Sequence, residues 1–191
     1  MARTKKVGKE IKIAIIGLGR VGSTIAYSLL LRNIGSIIYV YEKDRKKLAG
    51  ELSDLRHANY IFNRKKFPIK QGLLRNLKDC DVIIFTAGYS RASSKEKTED
   101  LYSSNRAVIL KYYSHLKNKI VLLVTNPTER LANEFYFIPI SKALDNARLR
   151  TDRRSGGWVI DRKGYTNWGC SAEVLTTLQT FYKWNLHKLK M

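Results

Sequence analysis

Three glycines at fixed spacing, in Gly17-Leu18-Gly19-Arg20-Val21-Gly22, follow a short apolar, β-branched run at residues 11–16 and precede a helical pattern. In that setting the first glycine permits a tight turn. The second lets a pyrophosphate approach the backbone, and the third lets the helix pack against the strand. A helix starting there offers free N–H groups and a partial positive charge to the phosphates. Glu42 lies twenty residues beyond Gly22, at the end of the next apolar run. A carboxylate in that place hydrogen-bonds ribose hydroxyls. The chemistry implied is recognition of a dinucleotide. An acid also repels a 2′-phosphate, which favours NAD over NADP, although Lys43 and Arg45 lie beside it.

The elements that must position these residues can be read from periodicity. Residues 11–16, 37–41, 67–71, 81–86 and 120–124 read as strands, most of them built on apolar runs. Residues 22–31, 46–58 and 101–116 read as helices; Leu101, Val108, Ile109, Tyr112 and Leu116 recur at helical spacing. Strands alternating with helices, with strands apolar throughout, predict a parallel sheet covered on both faces. Right-handed crossovers then give an α/β, Rossmann-type doubly wound domain over 11–127, preceded by a basic tail at 1–10. Beyond Pro127 the pattern weakens. Residues 131–150 read as one or two helices interrupted at Pro139, 153–157 as a polar break, and 169–189 as a helix.

The chain has 191 residues, 44% hydrophobic and 27% charged, a globular composition. Its longest aliphatic run, 120–124, is far below the roughly 20 residues of a membrane span. Cys80 and Cys170 lack metal-site or redox-pair spacing, which suits a reducing cytoplasm. The formal net charge of +20 attracts polyanions, nucleic acid or phosphate ligands alike. The excess is scattered, and no basic helix or aromatic-basic RNA motif stands out, so a solvated basic surface is the simpler reading.

Six segments, in order, carry a family resemblance: IKIAIIGLGRVGSTIAYSL (11–29), AGELSDLRHA (49–58), DCDVIIFTAGYSR (79–91), VTNP (124–127), LDNARLR (144–150) and KGYTNWG (163–169). Together they resemble the L-lactate/L-malate dehydrogenase family of NAD-dependent L-2-hydroxyacid dehydrogenases. The resemblance implies that Gly17, Gly19, Arg20, Val21, Gly22 and Glu42 hold the coenzyme. Thr86, Ala87 and Gly88 would pass beside it, and Asn126 would sit near both nicotinamide and substrate. Arg148 would clamp the substrate carboxylate, Asp145 would be the carboxylate that orients a catalytic histidine, and Thr166 would line the substrate pocket. Arg91 matches the specificity position where an arginine suits oxaloacetate; KGYTNW is closer to lactate members. The substrate class is therefore an L-2-hydroxy acid, lactate or malate. A homo-oligomer is open on the same ground, and no metal is implied.

The chain departs from the family in three places. The histidine motif expected between LDNAR and KGYT is missing, because residues 151–162 hold no histidine. His57, His115 and His187 match no catalytic position. In the loop after Arg91, Lys97 is the cation nearest to the family's carbonyl-polarising arginine. The segment between Pro127 and Leu144 is short, so a strand of the usual sheet is expected to be missing. Residues 128–191 then read as a shortened remnant of the substrate domain, and Phe135, Tyr136, Phe137, Ile138, Trp158 and Trp184 become candidates for an uncovered apolar patch. These readings leave an active dehydrogenase, a coenzyme-binding domain without catalysis, a decayed fragment and a basic nucleic-acid-binding protein as alternatives.

Overall fold

The structure is a computed structural model and describes residues 11–62, 68–90, 97–140 and 156–183. Strand β1 (Lys12–Ile16) leads through the glycine turn into helix α1 (Arg20–Arg32). Strand β2 (Ile37–Tyr41), helix α2 (Arg45–Phe62) and strand β3 (Ile69–Gln71) follow. A 3₁₀ turn (Leu74–Asp79) precedes strand β4 (Val82–Phe85), helix α3 (Thr98–Leu116) and strand β5 (Ile120–Leu123). Helix α4 (Thr128–Phe135) leads to the short strand β6 (Ile138–Pro139). Two further helices are α5 (Gly156–Lys163) and α6 (Trp168–Lys183).

The six strands form one sheet in the order β3-β2-β1-β4-β5-β6. Each neighbouring pair is parallel, so the sheet is the expected doubly wound one. Period-2 alternation divides the strand side chains between two cores. Ile13, Ile15, Ile38, Val40, Val82, Ile84 and Leu122 pack under α1, α2 and α6. Ala14, Ile16, Ile83, Phe85, Val121 and Leu123 pack under α3 and α4 on the other face. Strands β2 and β3 are added on one side of β1 and β4, β5 and β6 on the other, and this reversal of strand order opens a crevice at the carboxyl ends of β1 and β4.

Three expectations need correction. The sheet strand expected to be missing is present: β6 pairs with β5, Ile138 opposite Leu122 and Pro139 opposite Leu123. Pro139 does not interrupt a helix there; it occupies an edge strand, where a missing N–H costs the sheet nothing. Phe135 and Phe137 are not exposed. They stack with ring centroids 5.8 Å apart, and Tyr113 packs on Phe135 at 5.3 Å. Tyr136 has a left-handed φ of 57°, which turns both phenylalanines inward and leaves its own ring 92% exposed. Ile138 is at the margin of exposure at 37%, Trp158 is half-buried, and Trp184 lies outside the described residues. Within the polar break read at 153–157, α5 begins at Gly156.

Helix α6 belongs to the core of the sheet domain. Val174 and Leu178 are fully buried in the cluster that holds α1. A polar seam fixes the pairing: Asn167 Nδ2 donates to Thr24 Oγ1 at 3.0 Å, and Ser171 Oγ to Ser28 Oγ at 3.0 Å. Among the described residues no helix is long and apolar enough to cross a membrane.

Candidate functional site

The glycine turn sits where the crevice begins. Gly17 has φ +97°, and a Cβ there would meet the Ala87 nitrogen at 2.6 Å. A Cβ on Gly22 would lie 1.9 Å from the Gly17 oxygen and 2.8 Å from Thr86 Oγ1. Both positions therefore demand glycine, one for conformation and both for close approach. Gly19 differs: the nearest atom to a Cβ there is Lys47 Nζ, at 3.8 Å, so its outer side is open. Gly19 is also the N-cap of α1 and offers no side-chain cap. The first N–H groups of α1 lack a capping side chain and are oriented to receive an anion. Thr86 braces the turn, its hydroxyl donating to the Gly17 carbonyl at 2.6 Å and the Ile16 carbonyl at 3.1 Å.

Glu42 leaves the end of β2 and reaches back to the turn. Its Oε2 accepts from the Leu18 N–H at 3.2 Å and from Lys47 Nζ at 3.2 Å. Its Oε1 accepts from the N–H of Lys43 at 2.9 Å and of Asp44 at 3.3 Å. Burial acts to raise its pKa, but the Asp44 N–H, the Lys47 ammonium and the Leu18 N–H outweigh it and hold the carboxyl below the usual glutamate range. A cradle that excludes Cβ atoms, an uncapped helix start and an ionised acid together fit a dinucleotide.

At the other end of the crevice a cavity of about 110 Å³ is lined by Val21, Thr86, Gly88, Asn126, Tyr165 and Thr166, among others. Four chain segments meet there: the turn, the exits of β4 and β5, and the link between α5 and α6. Thr128 Oγ1 donates to Asn126 Oδ1 at 3.0 Å and aims that amide. Arg20, in the first turn of α1, places its guanidinium 4.5 Å from the centroid of the Tyr165 ring. Lys163 approaches the same ring at 4.6 Å. These cation–π contacts tie the α5–α6 link to the glycine turn.

Sequence reasoning brought Gly17, Gly19, Arg20, Val21, Gly22, Glu42, Thr86, Ala87, Gly88, Asn126 and Thr166 forward, and the structure gathers them along one crevice. Lys97 is exposed at the N-cap of α3 and does not line the cavity. Arg91, Asp145 and Arg148 lie outside the described residues. His57 and His115 are exposed on α2 and α3, and neither lines the cavity; His187 is outside the described residues. Among the described residues no cluster of His, Cys, Asp or Glu could hold a metal ion.

One residue escaped sequence reasoning. Asn105 is fully buried on α3. Its Nδ2 donates to the carbonyls of Tyr89 at 2.9 Å and Asn126 at 2.7 Å, and its Oδ1 accepts from the Tyr89 N–H at 2.6 Å. It thereby pins the exits of β4 and β5 to each other. The signal was available: position 105 falls on the apolar stripe of α3, four residues after Leu101 and before Ile109. A polar residue on a buried stripe has a partner to serve.

Comparison with known proteins agrees with this geometry. The lactate/malate dehydrogenase, NAD binding domain family matches residues 11–146. The chain is 33% identical over 155 residues to the L-lactate dehydrogenase of Fervidobacterium nodosum, covering 73% of this chain and 48% of that protein. It is 27% identical over 153 residues to a probable malate dehydrogenase of Campylobacter jejuni, covering 73% and 51%. The malate dehydrogenase of Archaeoglobus fulgidus, solved in complex with NADH, superposes with a TM-score of 0.77 at 21% identity, over 91% of this chain and 78% of that one. The chain spans about half the length of the curated relatives it matches. With the family match reaching across the sheet domain and its glycine turn, this chain belongs to the lactate/malate dehydrogenase family through its NAD binding domain.

Proposed function

We propose that this protein binds NAD(H) along the crevice and exchanges hydride with an L-2-hydroxy acid, lactate or malate, and its 2-oxo partner. The observation that carries the reading is the glycine cradle, in which a Cβ on Gly22 would sit 1.9 Å from the Gly17 oxygen while Gly19 stays open. In this reading the N–H groups of the turn and of α1 hold the pyrophosphate, with Arg20 and Val21 alongside. Glu42 takes the adenosine ribose. Thr86, Ala87, Gly88 and Asn126 border the nicotinamide, which supplies the hydride when bound. Asn126 and Thr166 line the substrate cavity, Arg148 holds the substrate carboxylate in a two-pronged contact, and Asp145 stands beside it. By the family resemblance Arg91 would pair with a second carboxylate, and Lys97, exposed at the N-cap of α3, is the cation nearest that loop position.

We place residues 11–127 as the coenzyme domain, with 1–10 as a basic tail and 128–191 as a shortened substrate portion whose α4, β6 and α6 pack into the sheet's own cores, in a cytoplasmic protein. A small 2-hydroxy or 2-oxo acid is the partner; self-association and nonspecific affinity for nucleic acid are readings that rest on the family and on the charge of +20.

A second reading, coenzyme binding without turnover, is supported by the lack of histidine in residues 151–162. Removing a general base lowers a rate by about 10²–10⁴-fold. Thermal unfolding with and without NADH tests the first step. A ligand at one hundred times its dissociation constant stabilises the native state by about 2.7 kcal/mol. A cooperative melt raised by NADH is the expected result, and a cooperative melt that ignores NADH would sink both readings. Loss of NADH absorbance with pyruvate or oxaloacetate then separates the dehydrogenase from the silent binder.

A further inference from the structure

The cavity end of the crevice is polar without being charged. Among the described residues its lining includes Thr86, Tyr89, Asn126, Tyr165 and Thr166, and it holds no histidine, carboxylate or cation. Of these side chains a phenol gives up a proton most readily. That leaves Tyr89 and Tyr165. Tyr89 is 61% exposed, and Asn105 holds its backbone groups. Tyr165 is half-buried and follows Gly164, whose φ of +82° turns the chain out of α5. Two cations meet its ring: the Arg20 guanidinium at 4.5 Å from the centroid and Lys163 Nζ at 4.6 Å. Lys163 is itself fixed. Its Nζ donates to Oδ1 of the buried Asn167 at 2.7 Å, and Asn167 Nδ2 donates onward to Thr24 Oγ1. Preorganised positive charge beside a phenol offsets the negative charge its oxygen takes on as a proton leaves. Tyr41 and Tyr102 spend their hydroxyls on the Leu73 carbonyl and the Glu134 carboxylate. Among the described residues the Tyr165 hydroxyl has no such commitment.

We infer that the Tyr165 hydroxyl is the proton donor and acceptor for hydride transfer in this cavity, the role for which it offers no histidine. The inference rests on the dehydrogenase reading above. In the direction of reduction, hydride reaches C2 of the 2-oxo acid and the carbonyl oxygen takes the electron pair of the broken C–O π bond. The Tyr165 Oη–H bond breaks, and its proton joins that oxygen to complete the hydroxyl of the L-2-hydroxy acid. The phenolate then takes a proton from water, so each turnover consumes one proton from solvent. Oxidation runs the same transfers backwards.

Tyr165→Phe keeps the ring and its cation contacts and removes the hydroxyl alone; circular dichroism verifies its fold. NADH affinity, read by calorimetry, is expected to stay within about threefold. The kcat for NADH oxidation by pyruvate or oxaloacetate is expected to fall by about 10²–10⁴-fold. Oxamate, a 2-oxo acid analogue, reads the hydroxyl without turnover: its affinity for the NADH complex is expected to fall by about tenfold, as one hydrogen bond is lost. A kcat within about threefold of the original chain would overturn the assignment, as would unchanged oxamate affinity or loss of NADH binding in Tyr165→Phe. If the original chain binds NADH and turns over neither acid, the role of Tyr165 falls and coenzyme binding stands. A folded chain that binds no NADH overturns the assignment together with the reading beneath it.

Discussion

The two ends of the crevice are built by different means. The glycine end is mainly backbone against backbone: Gly22 lies against Gly17 and Gly17 against Ala87, braced by the single Thr86 hydroxyl, within one β1–α1 unit and the strand beside it. The cavity end is assembled by side chains from remote segments: Asn105 on α3, Thr128 on α4, Tyr165 beyond α5 and Arg20 on α1. The first is a local construction that the sheet alone enforces. The second depends on α1, α3, α4 and the α5–α6 link arriving in place. A chain spanning about half the length of its relatives thus keeps the coenzyme cradle on a complete six-stranded sheet, while the substrate end draws on the segments where the chain departs most from the family.

The sharpest way to break this contrast is Gly22→Val. The side chain has nowhere to go, and overpacking of this order costs about 3 kcal/mol or more. Chemical denaturation is expected to show that loss, with no stabilisation by NADH remaining. Asn105→Ala removes three hydrogen bonds and strands buried partners, at about 2–3 kcal/mol. It is expected to lower stability while leaving the NADH-induced stabilisation intact. If it abolished that response as Gly22→Val does, the two ends would be a single unit.

Asn167→Ala and Ser171→Ala, in the seam between α1 and α6, are expected to cost about 1 kcal/mol each. Limited proteolysis should then release α6 before the sheet is cut; simultaneous loss of both would deny a separable cavity end. The smallest effect concerns pH. Since Glu42 titrates below the usual glutamate range in the folded state, its stabilising contribution is complete above about pH 4.5 and lost as pH falls through the lowered value. Glu42→Gln should remove that part of the acid limb and nothing at neutral-to-basic pH slopes; an unchanged acid limb would show the carboxylate is not held by the contacts described.

Legibility in the sequence follows the same division. The strands were readable because both faces are covered, so 13–16 and 82–85 are apolar without alternation. The glycine spacing was readable because backbone proximity leaves no freedom of residue type. Beyond Pro127 the rules compete. Pro139 reads as a helix breaker, yet an edge strand accepts it because the outer side needs no donor. Residues 135–138 read as an apolar patch because nothing in a linear string announces the left-handed Tyr136 that turns its neighbours inward. Asn105 was visible only as a polar interruption of a stripe; its partners lie 16 and 21 residues away, across two strand exits.

The seam between α1 and α6 also has a kinetic meaning. Its two hydrogen bonds join residues 143 positions apart. Closing a loop of that length carries an entropy penalty that local contacts such as the β1–α1 turn avoid. Folding rates fall as contacts become more distant in sequence. The β1–α1 turn and its glycine cradle are thus closed by local contacts, whereas the docking of α6 onto α1 is among the longest-range steps of folding.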